Sequence, residues 1–334
     1  MKRIAAAGAA FVAALAAYAA WTVTRPYAAF TGAANVDIPK RTGTRQIARL
    51  LVAHGVLRDP FPFLLLKAVR PSARLQAGEY RFTRPASPAE VFDRIARGDV
   101  HFHEFTVPEG SNIFDVIRIV SKLGFISENE IRSAVHDPGP IRDLAPSAAS
   151  LEGYLYPSTY RVTRQTTARQ ITRMMTDQFR KVWAKLDRRL PVHEAVTLAS
   201  LVEKETGLAS ERPLVASVYR NRLRLGIRLE CDPTTIYAAL LEGRYRGAIY
   251  RSDLASEHPY NTYRHAGLPP GPIASPGEAS LRAALDPPAS EFVFFVAKGD
   301  GSGGHRFSTT LAQHTAAVAE YRRGRQIKQA RALP

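Results

Sequence analysis

A single cysteine, Cys231, stands in 334 residues. It excludes an intramolecular disulfide and a thiolate zinc site and leaves the fold to stand on its core. Cys231 precedes Asp232-Pro233, a turn-like pair, so a small structural residue is expected there rather than a catalytic thiol. Acid is also scarce. Thirty Asp and Glu against 46 Lys and Arg give a net charge of +16, an excess that calls for something negative nearby. The chain has no Cys/His finger spacing, no RNP-type aromatic strand and no unbroken basic tract. Nucleic acid therefore lacks its usual modules, and anionic lipid head groups or an acidic wall polymer fit the charge. An anchored nucleic-acid binder would show salt-sensitive DNA binding in a gel shift. There is no internal repeat and no low-complexity tract beyond an Ala-rich N-terminus.

Metal and phosphate chemistry are poorly supplied as well. His101 and His103 alternate on a strand, but no carboxylate stands at a ligand spacing, and Glu104 points the other way. Gly299-Asp300-Gly301-Ser302-Gly303-Gly304 lacks the Lys-Ser/Thr ending of a phosphate loop. It reads as a hairpin between an apolar strand and His305-Arg306-Phe307. No metal and no cofactor are expected.

What is present begins with an uncharged run. After Lys2 and Arg3, residues 4–24 carry no charge, about 20 residues that suffice to cross a bilayer core. A cleaved signal peptide is the competing reading, with Ala17-Tyr18-Ala19 as its cleavage site, but the run exceeds the usual h-region of about 7–15 residues. A retained anchor is the expectation. Lys2 and Arg3 would hold its short start in the cytoplasm, Arg25 weakens that asymmetry, and the rest would lie outside.

The organisation that follows is 1–24 cytoplasmic tip and anchor, 25–34 linker, 35–105 a small module with a following helix and strand, 106–150 a connecting subdomain, and 151–334 the larger part. Alternation predicts strands over 35–39 and 78–82, with helices over 44–53 and 61–69 between them. Ser87-Pro88-Ala89-Glu90 is a helix start with N-cap, Pro at N1 and Glu at N3; Gly98 closes that helix. A strand over 102–107 and helices over 111–124 and 127–135 come next. Asp137-Pro138-Gly139-Pro140 then breaks the pattern, and a junction is placed near it. Helices are predicted over 167–186, from 191 to 205, over 210–225 and from 275, with a buried apolar strand over 292–297. The fold class is α+β.

One stretch stands apart: Ala199-Ser200-Leu201-Val202-Glu203-Lys204-Glu205-Thr206-Gly207. It sets two carboxylates in the last turn of an apolar helix that stops at a glycine. At about 100° per residue Glu203 and Glu205 point roughly 200° apart, Lys204 lies with Ser200 on the polar side, and the acids cannot act as a facing pair. Apolar neighbours and the negative end of the helix dipole disfavour the charged form of each, which suits a general acid. Spacing alone favours reading both as solvated residues of a Lys/Glu helix end.

Three loop segments carry polar and aromatic side chains: 151–160, 231–235 and 259–263. Tyr154, Tyr156, Tyr260 and Tyr263 offer flat apolar faces, and Asp232, Asn261 and Thr262 offer hydrogen-bonding edges, a combination that suits a sugar ring. Structural use of any one tyrosine, and Asx-turn bonding by Asp232 or Asn261, are the competing readings.

The run 199–207, continuing Ala209-Ser210-Glu211-Arg212, resembles the signature of the YceG-like endolytic murein transglycosylases. So do Asn221-Arg222-Leu223, Asp232-Pro233-Thr234, Tyr260-Asn261-Thr262-Tyr263 with Gly267-Leu268-Pro269-Pro270-Gly271-Pro272-Ile273, and Phe295-Val296-Ala297. The resemblance covers nearly the whole chain, anchor included. It implies that Glu205 is the catalytic acid, that Glu203 supports it, and that the segment 35–82 is a LysM-like glycan-binding module. Glu152, Asp232, Asn261 and Tyr263 are the residues chosen to hold the sugars. It further implies an inner-membrane, single-pass protein facing the periplasm, acting on peptidoglycan strands beside the peptidoglycan synthases of the elongation machinery. A membrane-tethered, non-cutting wall-binding scaffold is the alternative. Cys231 departs from the pattern, which has a small hydroxyl residue at that place.

Overall fold

The computed structural model describes residues 2–187 and 190–331. They form two compact units, one made by the chain up to Glu104 with Arg161–Thr166, the other by Phe105–Tyr160 and the chain from Thr167 onward.

The first unit starts with α1 (Lys2–Thr24). Its segment Ala6–Thr24, of mean hydropathy 1.6, is long and apolar enough to cross a membrane, consistent with a single-pass anchor. Then come β1 (Ala34–Ile38), α2 (Thr44–Ala53), α3 (Phe61–Val69), β2 (Gly78–Phe82) and α4 (Pro88–Arg97). β1 and β2 pair antiparallel, with Val36 opposite Tyr80. Period-2 alternation puts Ala34, Val36 and Ile38 inside. They meet Ile47 and Leu51 of α2, Phe63 of α3, and Val91, Phe92 and Ile95 of α4 in one core. The capping box at Ser87 and Glu90 forms as its spacing predicts, and Gly98 ends α4 in the left-handed conformation at φ 70°.

The interval 25–34, expected as a linker, is bonded to this unit instead. Tyr27 and Ala86 form a bridge, the Ala29 amide donates to the Gly55 carbonyl at 2.8 Å, and Val23 and Phe30 pack on the core. Partners that far away in sequence leave no local sign.

β3 (His103–Val107) leaves the first unit and β4 (Ser158–Val162) returns to it. The carboxylate that local spacing does not give His103 comes from β2: Glu79, 2% exposed, lies 2.7 Å from His103 Nε2 and 3.1 Å from Arg164 Nε. Burial pushes the Glu79 pKa up, but the His103 hydrogen bond and the Arg164 charge outweigh it and hold the pKa below normal. This is an ion-paired structural cluster, and among the described residues no group of three or more potential ligands could hold a metal.

The second unit contains α5 (Ile113–Ser121), α6 (Glu128–Val135), α7 (Ala168–Trp183), α8 (Val192–Glu205), α9 (Arg212–Arg224), α10 (Asp232–Leu241), the single turn α11 (Arg251–Leu254), α12 (Glu278–Leu285), β5 (Phe294–Ala297), β6 (His305–Ser308) and α13 (Leu311–Arg331). The Pro-rich break 137–140 falls inside it, not at its edge. There Pro140 and Asp143 accept from Arg180 of α7, at 2.6 Å for the Pro140 carbonyl, so the break is a turn between packed helices. α8 is the centre. Every residue from Ala195 to Val202 is buried, with α9, α10 and α12 packed around it. The polar side expected at Ser200 does not exist: its hydroxyl, 0% exposed, donates to the Thr197 carbonyl at 2.7 Å and accepts from the Ile273 amide at 3.1 Å. Among the described residues β5 pairs with β6 alone, and it is half-buried throughout, where a buried core strand is the expectation. Cys231-Asp232-Pro233, read as a turn, opens α10 with Pro in its first turn, a position where Pro starts helices as readily as it makes turns.

Candidate active site

Three helices converge on Glu205. It is the last residue of α8, whose backbone ends when Thr206 turns extended. Tyr219, 1% exposed on α9, donates its hydroxyl to Glu205 Oε1 at 2.7 Å. Cys231, 0% exposed at the N-cap of α10, donates its thiol to the same carboxyl group. Glu205 is half-buried. Burial raises its pKa; the bonds from Cys231 and Tyr219 lower it, the Asp232 charge raises it, and the His305 charge lowers it. The net direction is up, so the carboxyl keeps its proton above the usual range. His305 is itself fixed by Glu211, which accepts from its amide at 2.8 Å and lies 2.7 Å from its Nδ1.

Glu203 faces elsewhere, as the splay predicts. Its Oε1 accepts from Arg212 Nη2 at 2.9 Å and its Oε2 from the Gly277 amide at 3.0 Å. The side chains of Glu203 and Arg212 are only 5% and 10% exposed. Gly277 is the N-cap of α12 and has no side-chain cap of its own, so Glu203 joins α8 to the starts of α9 and α12.

The residues chosen for sugar contact separate into two groups. Asp232 is exposed, raises the Glu205 pKa by its charge, and accepts from the Tyr263 hydroxyl at 2.7 Å. These two stand with Glu205. Asn261, 0% exposed, spends its side chain on the loop: its amide donates to the carbonyls of Leu254 and Ser256 at 3.1 and 2.7 Å, and its oxygen accepts from the Tyr263 amide at 3.1 Å. That last bond is an Asx turn. Glu152, 3% exposed, accepts from the amides of Ile113 and Gly153 at 3.0 and 3.2 Å and from Tyr237. Burial brings its pKa up to about 7, and its role in the structure is to cap α5. The turn it sits on needs glycine next to it: Gly153 has φ +83°, and a Cβ there would lie 2.5 Å from Pro272.

Of the tyrosines, Tyr154 is core, 0% exposed and bonded to His193 Nδ1 at 2.9 Å, with His193 Nε2 2.9 Å from the Pro270 carbonyl. Tyr156 and Tyr260 are half-buried, Tyr260 with its ring 5.0 Å from Tyr237. Sequence reasoning missed Tyr219 and the scaffolding around Cys231. Arg222 donates to the carbonyls of Arg228, Leu229 and Val293 at 3.0, 3.0 and 2.7 Å, and Thr262 Oγ1 accepts from the Cys231 amide at 3.0 Å. Tyr219 lies two residues before the quoted Asn221-Arg222 pair, and only its helical phase toward α8 would have revealed it.

The family model described as the YceG-like family matches residues 36–320. An endolytic murein transglycosylase of Bacillus subtilis is 28% identical over 310 residues, covering 86% of this chain and 84% of that one. One from Streptococcus pneumoniae is 26% identical over 299 residues, but this chain spans only 54% of its length. The crystal structure of a yceG-like protein from Listeria monocytogenes superposes with a TM-score of 0.55 at 28% identity, covering 86% of this chain and 99% of that one.

Proposed function

We propose that this chain, which belongs to the YceG-like family, is a lytic murein transglycosylase that cuts inside nascent peptidoglycan strands with Glu205 as acid and then base. The observation that carries the reading is one half-buried carboxyl group at the junction of three helices, its Oε1 held by the Tyr219 hydroxyl at 2.7 Å and its pKa pushed up by burial. Protonated Glu205 donates to the oxygen of the β-1,4 bond between N-acetylmuramic acid and N-acetylglucosamine as that bond breaks. The carboxylate left behind takes the proton of the muramoyl C6 hydroxyl, whose oxygen closes on the anomeric carbon. The product is a 1,6-anhydro ring, no water is consumed, and Glu205 regains its proton. Asp232 and Tyr263 are assigned to hold the sugar, a reading supported by the Tyr263–Asp232 bond and the effect of the Asp232 charge on Glu205.

Asp232 also supports a second reading, in which it activates a water and the pair hydrolyses the bond as two-carboxylate glycosidases do. Mass spectrometry of products from purified glycan strands separates the two. The transglycosylase gives anhydro ends, and ends heavier by one water would establish the hydrolase instead.

The acid must be protonated to work, so its pKa sets the alkaline limb of the pH profile of kcat. Tyr219→Phe removes a bond that favours the carboxylate; the pKa rises and the limb moves to higher pH. Cys231→Ser supplies a stronger donor and moves the limb the other way. Two near-isosteric changes with opposite shifts are the expected result. Equal profiles with only lower rates would mean that both residues merely pack.

The antiparallel βααβ arrangement in the first unit supports the LysM-like reading and hence glycan binding there. The α1 span supports single-pass anchoring, and the chain beyond it is assigned to the periplasmic side, where nascent strands and their synthases lie.

A further inference from the structure

A cleft of the first unit at the C-terminal end of α1 is lined by Tyr18, Trp21, Arg25, Tyr27, Arg58 and Pro62, among others, with a volume of about 560 Å³. We propose that this cleft binds the phosphate of an anionic membrane phospholipid through Arg25 and Arg58, with Tyr18 and Trp21 seated at the lipid interface. The inference rests on reading α1 as the membrane span.

The span ends at Thr24, which puts the next residues at head-group depth. Tyr18 and Trp21 are 60% and 52% exposed and Phe61, beside the cleft residue Pro62, is 58% exposed. Large aromatic side chains left bare at that depth form the belt expected where chain meets head groups. The Arg25 guanidinium lies 4.8 Å from the Trp21 ring centroid, so ring and cation form one amphipathic surface. Arg25 and Arg58 are exposed, and among the described residues neither is in an ion pair with a carboxylate. Asp59, the one acid in the lining, accepts from the Phe61 amide at 2.9 Å, at the start of α3. Two guanidinium groups without a carboxylate partner among the described residues therefore line one cleft, and a phosphate is an anion that guanidinium groups bind well.

The junction is also fixed. The bonds of Tyr27 to Ala86 and of Ala29 to Gly55, with Val23 and Phe30 on the core, tie the end of α1 to the first unit, so the cleft keeps its place at the bilayer surface. This gives Arg25 a function on the flank where the positive-inside tendency alone would leave it out.

The test uses the full chain with Trp183→Phe, so that Trp21 is its only tryptophan, reconstituted in phosphatidylcholine vesicles. A small fraction of brominated phosphatidylglycerol or, separately, brominated phosphatidylcholine is added and Trp21 quenching is read. Enrichment of the anionic lipid by about fivefold per arginine is expected. Arg25→Gln with Arg58→Gln brings the two lipids to parity while retention in alkali-washed membranes is unchanged. Equal quenching by both lipids in the parent overturns the site. Relief of quenching by inorganic phosphate assigns it to free phosphate and overturns the lipid as occupant. No quenching by either lipid overturns α1 as a span. If Trp183→Phe does not fold, the intact chain and its double-arginine variant give the same comparison, since Trp183 is common to both.

Discussion

Glu205→Gln is expected to fold as the parent does and to lose about 10²–10⁴-fold or more in turnover, the range for removing a general acid, or about 3–5 kcal/mol of barrier. Glutamine keeps the shape, and its single acceptor oxygen can still take the Tyr219 hydroxyl, so α8 and α9 stay bonded. It removes only the transferable proton. The stability consequence has a definite sign. A carboxyl whose folded pKa lies above its unfolded value stabilises the fold at acid pH and loses that contribution as pH rises through the folded pKa. Glutamine does not titrate, so the variant should match the parent in acid and exceed it in alkali, as read from denaturant unfolding at both pH values. Glu205→Ala differs: it leaves the buried Tyr219 hydroxyl and Cys231 thiol without their acceptor and should lose stability as well as activity. Parental turnover by the glutamine variant sinks the acid assignment. Full cellular function of a variant inactive in the tube would favour a wall-binding scaffold.

Much of this frame was legible because its causes are local. The order β1, α2, α3, β2 follows from alternation and helical spacing over a few residues, and the Ser87 and Ser127 capping boxes are complete within four residues. Glu205 was visible as one of two odd acids, but only the resemblance separated it from Glu203. The structure gives the physical difference, an aromatic hydroxyl and a thiol on one side against an arginine and a helix start on the other. Asn261 and Glu152 looked like ligand residues because polar loop residues usually face water. Each instead satisfies buried backbone groups, a use set by partners such as Ser256, 5 residues away, and Ile113, 39 away. α8 shows the same limit. A helix buried on all sides has no stripe for periodicity to find, and Ser200 reads as solvent-facing until the Ile273 amide is placed against it.

The second large effect is expected at Glu203, and it falls on stability. Removing one partner of a buried ion pair costs about 3–5 kcal/mol, because the remaining charge stays buried without its counterion. Glu203→Ala leaves Arg212 with only Glu109, 3.4 Å away and half-exposed, and strips the Gly277 amide at the start of α12 of its acceptor. For a unit of this size the loss corresponds to a fall in Tm of roughly 6–20 °C. Glu203→Ala with Arg212→Met removes both charges and should recover part of the loss, so the pair shows a coupling energy in a double-mutant cycle. Turnover per folded molecule should stay near the parent's, measured well below the lowered Tm. The opposite pattern, parental Tm with turnover abolished, would place Glu203 among the reacting groups. Its bonds to Arg212 and Gly277 argue against such a role, because a carboxylate committed to a guanidinium and a helix start is not free to serve a sugar.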